Sequence, residues 1–163
     1  MIALRASFLA SALAVSAAGP AHAGPADVAG RWTSSGKEPI AFALLVRGSG
    51  FEVRLDRAGR PLFAGSFVPT DRPGVFEAGA SGLFAVLGRK RKAANPLEGE
   101  ELVWGRAIPA GLVLSRLSIA DGRPTIHRAL VERRGERLAL RLERLEGESL
   151  RAEAEVLLEP VRP

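Results

Sequence analysis

Residues 40–57, IAFALLVRGSGFEVRLDR, decide how this chain folds. Ile40, Phe42, Leu44 and Val46 recur at every second position, and Phe51, Val53 and Leu55 then alternate with Glu52, Arg54 and Asp56. Successive side chains of a strand point to opposite faces, so each half reads as a strand with one apolar face. Gly48-Ser49-Gly50 between them reads as a hairpin turn, because glycine takes positive φ without a Cβ clash.

The pattern continues beyond this hairpin. Leu62–Val68 and Val75–Leu87 follow, cut by Pro69, by Pro73-Gly74 and by the turn Gly79-Ala80-Ser81-Gly82. Glu101–Ala107, Gly111–Ala120, Thr125–Glu132, Arg137–Leu145 and Leu150–Leu158 complete about ten strands at the spacing of an all-β barrel or sandwich. One turn recurs: Ala58-Gly59-Arg60-Pro61 and Asp121-Gly122-Arg123-Pro124 each separate two strand-like runs. Glycine supplies the left-handed residue, and proline opens the next strand where its missing N–H costs least. The last third is ambiguous, since Leu, Ala, Glu and Arg are strong helix formers. A helix would align Leu138, Leu142 and Leu145. Strict alternation of Leu138, Leu140 and Leu142, and of Leu150, Ala152, Ala154, Val156 and Leu158, favours a closing hairpin around Glu146-Gly147-Glu148. The expectation is an all-β, antiparallel up-and-down barrel of about 8–10 strands, because closure removes unpaired edges. A two-sheet sandwich is the rival.

The 163 residues include no Cys, no Tyr and two His, with a net charge of +5. Without Cys there is no disulfide framework, thiolate metal site, thiol nucleophile or cysteine-linked lipid anchor. Residues 1–23, MIALRASFLASALAVSAAGPAHA, place Arg5 before an apolar run from Ala6 to Ala18 and end in Ala21-His22-Ala23. That is a secretory signal peptide, its apolar run too short for an anchor, with cleavage after Ala23. Residues 24–163 then form a single exported domain, periplasmic or secreted, with His127 as its histidine and no membrane span.

Asp27-Val28-Ala29-Gly30-Arg31-Trp32-Thr33 sets a Gly-x-Trp just before the first long strand. This resembles the opening of the calycin group: lipocalins, fatty-acid-binding proteins, avidin-like proteins and small secreted bacterial metalloprotease inhibitors. The resemblance implies that Gly30 lets the chain bend across the barrel base and that Trp32 plugs the closed end. The lipocalin Thr-Asp-Tyr element and the inhibitor disulfide are missing. So are the biotin-binding aromatics of avidin-like proteins and the helical lid of fatty-acid-binding proteins. The resemblance therefore implies architecture and carries no ligand with it.

Little catalytic chemistry fits. One exported histidine cannot build a multi-His metal site, and no acidic run has calcium-loop spacing. Ser81 lacks the residue that would complete a nucleophile elbow, and no glycine-rich piece opens a helix that could cradle phosphate. The reading is a non-enzyme with no catalytic residue, metal or cofactor. Arg89-Lys90-Arg91-Lys92 is either a solvated loop or a docking point for an anionic partner. Nucleic acid is excluded as a partner, because no aromatics interleave with those bases. Trp104 shares a face with Leu102 and Arg106, and Arg116 shares one with Leu112 and Leu114. If those faces point inward, each arginine is a buried cation needing a partner. His127 is either a hydrogen-bonded core residue or a residue of the barrel mouth.

Two functions follow. In the first, the barrel carries a small apolar or amphipathic ligand, with Trp104, Arg106, Arg116 and His127 lining its site. In the second, the core is filled, and the protein is an accessory factor that binds another envelope protein: an inhibitor, assembly partner or chaperone. A packed interior favours the second.

Overall fold

The computed structural model describes residues 24–79 and 94–162. Residues 1–23, expected as a signal peptide, residues 80–87 of the expected Val75–Leu87 strand with its Ser81 turn, and the Arg89–Lys92 cluster lie outside the described residues. Ten strands form one closed antiparallel meander: β1 (Gly30–Thr33), β2 (Ile40–Arg47), β3 (Gly50–Arg57), β4 (Arg60–Pro69), β5 (Val75–Ala78), β6 (Leu102–Ile108), β7 (Gly111–Ala120), β8 (Arg123–Arg134), β9 (Arg137–Glu146) and β10 (Ser149–Pro160). Each pairs with the next, and β1 closes the ring on β10 through Trp32 opposite Pro160 and Thr33 opposite Glu159. The barrel expected from the alternation is the one present, and the last third is strand, as its pattern demanded.

The repeated turn works through two left-handed residues rather than one. Ala58 (φ 48°) and Gly59 (φ 75°) join β3 to β4, while Asp121 (φ 51°) and Gly122 (φ 71°) join β7 to β8. Positive φ at both central residues matches strand twist in two-residue hairpins. Aspartate tolerates that conformation, but alanine has no local hydrogen bond to offset it.

The last strand corrects one detail of the alternation. Ala152 pairs with Glu143 but Ala154 pairs with Leu142, so Glu153 is the extra residue of a β-bulge. A bulge of one residue switches the face of everything beyond it. Leu150 and Ala152 therefore stand on the outer wall, whereas Ala154, Val156 and Leu158 pack inward against the core.

The interior is aromatic. Phe51 and Phe67 stack with centroids 4.9 Å apart and rings 4° from parallel, and Phe76 meets Phe51 edge-on at 5.0 Å. Phe42, Leu55, Leu114, Leu138 and Leu140 fill the space around them, each 0–1% exposed. Room for the rings comes from Gly105, whose position opposite Phe76 faces Phe51 and Phe67 with no side chain of its own.

One end of the barrel is closed. The 3-10 turn Pro25–Val28 packs across β2, β7 and β8 and buries Val28 completely. Gly30, at φ 124°, turns the chain from this cover into β1 and lies against the Trp32 indole. Trp32 is 5% exposed, and the Arg133 guanidinium sits 4.8 Å from its ring centroid.

Two substitutions test this account by urea unfolding. Phe51→Ala removes the centre of the aromatic stack and should cost about 3–5 kcal/mol. Ala58→Asn keeps the turn and relieves the left-handed alanine, and should stabilise by roughly 1 kcal/mol.

Candidate binding site

The end opposite the Trp32 cover carries the β1–β2, β3–β4, β7–β8 and β9–β10 turns. Leu114, Ala129 and Leu142 lie in register across β7, β8 and β9 and belong to the core. Two residues nearer the mouth on the same inner wall come Arg116, His127 and Arg144, also in register, with Arg151 opposite Arg144 on β10. The fold thus brings Arg116 and His127 together, as a ligand site in the lumen would require. It adds Arg144, which sequence reading passed over. Its signal was available: Arg144 keeps the period of Leu138, Leu140 and Leu142, which makes it the inner-wall residue after Leu142.

Arg116 reaches back over the Phe63 ring, 5.7 Å from its centroid, and its Nε lies 3.7 Å from the Oε1 of Glu101. Arg144 pairs through Nη2 with Glu146. The Nε atoms of both arginines are buried and have no hydrogen-bond partner among the described residues. His127 is half-buried, and burial lowers its pKa from 6.5. Arg116 and Arg144 push it further down, while Glu153 and Glu101 oppose them.

Trp104 and Arg106 are elsewhere. Their neighbour Gly105 faces the aromatic core, so both project from the outer wall. Trp104 is half-buried there beside Ser115, and Arg106 is exposed opposite Val113. The inward cation considered for Arg106 does not arise.

The outer wall has two further features. Leu102, Leu117, Ile126, Leu145 and Leu150 stand in register across β6 to β10, an apolar row on the solvent side of five strands. Leu102 is 39% and Leu150 50% exposed. On the other half of the barrel, a concavity of about 520 Å3 crosses β1 to β4. Its lining combines small residues, Ala43, Ala64, Gly65 and Ser66, with the charged Arg31, Glu52 and Arg54. Among the described residues, no group of three His, Asp or Glu side chains is placed to hold a metal ion. No helix among them is long and apolar enough to cross a membrane.

No protein-family model, curated protein or solved structure matches this chain.

His127 makes stability depend on pH with a definite sign. Its folded pKa lies below the unfolded one, so acid protonates the unfolded chain first. Its full contribution is present above pH 6.5 and is lost as pH falls from there towards the folded value. In urea unfolding at pH 7.5 and pH 5, His127→Gln should lose less stability on acidification than the unaltered protein. An equal loss would show that the imidazole is not desolvated.

Proposed function

We propose that this chain is an exported, non-enzymatic binding protein of calycin-like architecture that engages a partner polypeptide with its outer wall. The filled interior carries this reading. Phe51, Phe67 and Phe76 occupy the axis where a carried molecule would lie, while the 520 Å3 concavity opens on the outside. Ten-stranded barrels enclose enough space for a ligand only if side chains leave it vacant. An accessory role in the periplasm or the surrounding medium suits this architecture better than carriage.

The apolar row gives the partner its footing. Leu102 and Leu150 are exposed at the two ends of the row and Leu117, Ile126 and Leu145 are half-buried between them, which joins them into one apolar strip rather than scattered single residues. Trp104, in the adjacent row, is the residue type that most often anchors an interface. Arg128 and Arg141 flank the same wall, both holding Glu143, at 3.6 and 3.0 Å. Neighbouring strands lie ~4.8 Å apart, so the row runs roughly 19 Å, long enough for a helix or strand of a partner to lie along it.

Protein purified from its own compartment should carry no small molecule by native mass spectrometry and should not bind apolar fluorescent probes saturably. Partners cross-linked in that compartment should be lost on Ile126→Glu or Leu145→Glu, with the melting temperature little changed. An apolar or amphipathic molecule retained one per chain would overturn the reading in favour of a carrier.

A further inference from the structure

The inner wall of the mouth holds an arrangement that partner binding on the outer wall does not use. We propose that Arg116, His127 and Arg144 form a binding site for a small oxyanion, either a carboxylate or a tetrahedral phosphate-type group, at the end of the barrel opposite the Trp32 cover.

Register is the first support. Arg116, His127 and Arg144 stand side by side on β7, β8 and β9, and Arg151 extends the row directly opposite Arg144. Like charges placed opposite one another on adjacent strands oppose sheet pairing. Two strand spacings put the Arg116 and Arg144 backbones ~10 Å apart, with the imidazole between them. An anion resting over His127 would lie within reach of both guanidinium groups.

Hydrogen bonding is the second. Each guanidinium offers a planar fork that fits two oxygens of a carboxylate or phosphate. Arg144 commits Nη2 to Glu146, and the Arg116 Nε stands 3.7 Å from Glu101, too far for a hydrogen bond, so among the described residues both keep a buried Nε without a hydrogen-bond acceptor. Buried donors are nearly always satisfied in folded proteins, so two orphans on either side of one histidine call for an acceptor. Water could accept these bonds but would leave the crowding of positive charge unrelieved. An oxyanion does both.

The surroundings set the size of the ligand. Leu114, Ala129 and Leu142 close the lumen one pair of residues below, each at most 3% exposed. The site is therefore a shallow seat for a head group. Of the charged groups facing it, Glu101 comes from the segment before β6 and Glu153 from the bulge of β10. Both act on His127 in the direction opposite to the two arginines. A bound anion would reinforce them and raise the affinity of the imidazole for a proton. Binding should accordingly tighten as pH falls from 7.5 to 5.5.

The experiment follows the His127 imidazole by NMR in the full chain, with His127→Gln used to tell its signals from those of His22. Sulfate and acetate serve as probes, titrated against chloride at constant ionic strength. Either probe should raise the His127 pKa saturably. Preference for sulfate would identify a tetrahedral head group, and preference for acetate a carboxylate. Arg116→Gln and Arg144→Gln should each weaken binding about tenfold or more. Arg116→Lys keeps the charge over Phe63 but not the fork, so it should weaken binding in a chain whose circular dichroism is unchanged. Isothermal titration of His127→Gln should find residual binding that no longer depends on pH. A shift equal to that of chloride, or one that survives in both glutamine variants, would overturn the proposal. Neither result bears on the outer-wall partner, whose test uses different residues.

Discussion

The stack of Phe51 on Phe67, with Phe76 against its edge, is the interaction around which the barrel is organised. A closed ten-stranded sheet must do something with its interior, since apolar walls facing an empty lumen forfeit dispersion contacts and leave the sheet unsupported. Here three rings from β3, β4 and β5 meet on the axis, and Gly105 on β6 gives up its side chain to make room for them. Among the described residues, β5 pairs through three residues on each side. Its Phe76 ties this short strand into the core more firmly than its ladder can.

Once the axis is occupied, the two ends diverge. At one, Val28 and Trp32 seal the base, with Arg133 laid over the indole as a cationic lid on an aromatic face. Gly30 is indispensable there, because its φ of 124° is a conformation that side chains resist and its missing Cβ leaves space for the indole. At the other end, apolar residues give way to Arg116, His127 and Arg144 within one step along each strand. The mouth is consequently polar without being deep.

The outer wall divides in a corresponding way. β1 to β4 present small residues and opposed charges around a concavity, while β6 to β10 present a line of leucines and isoleucine. Part of that line exists because of the Glu153 bulge, which turns Leu150 outward on a strand whose far half faces in. A straight β10 would carry Leu150 and Ala152 into the lumen beside Ala154.

Local pattern was enough to place β2 at Ile40–Arg47 and β7 at Gly111–Ala120, and to choose strand over helix for β9 and β10. Period-two burial is written residue by residue and needs no knowledge of distant partners. The meander was legible for the same reason, as turn residues recur between neighbouring strands. Pairing between strands settled the rest. Which face of Leu102–Ile108 turns inward depends on where Phe51 and Phe67 need Gly105, so Trp104 and Arg106 went outward for reasons lying many residues away. The bulge at Glu153 depends on the register of β9, and the row of Arg116, His127 and Arg144 exists only where three strands lie side by side. Alternation along a chain reports that a strand has two faces, and contacts across the barrel choose which of them meets the core.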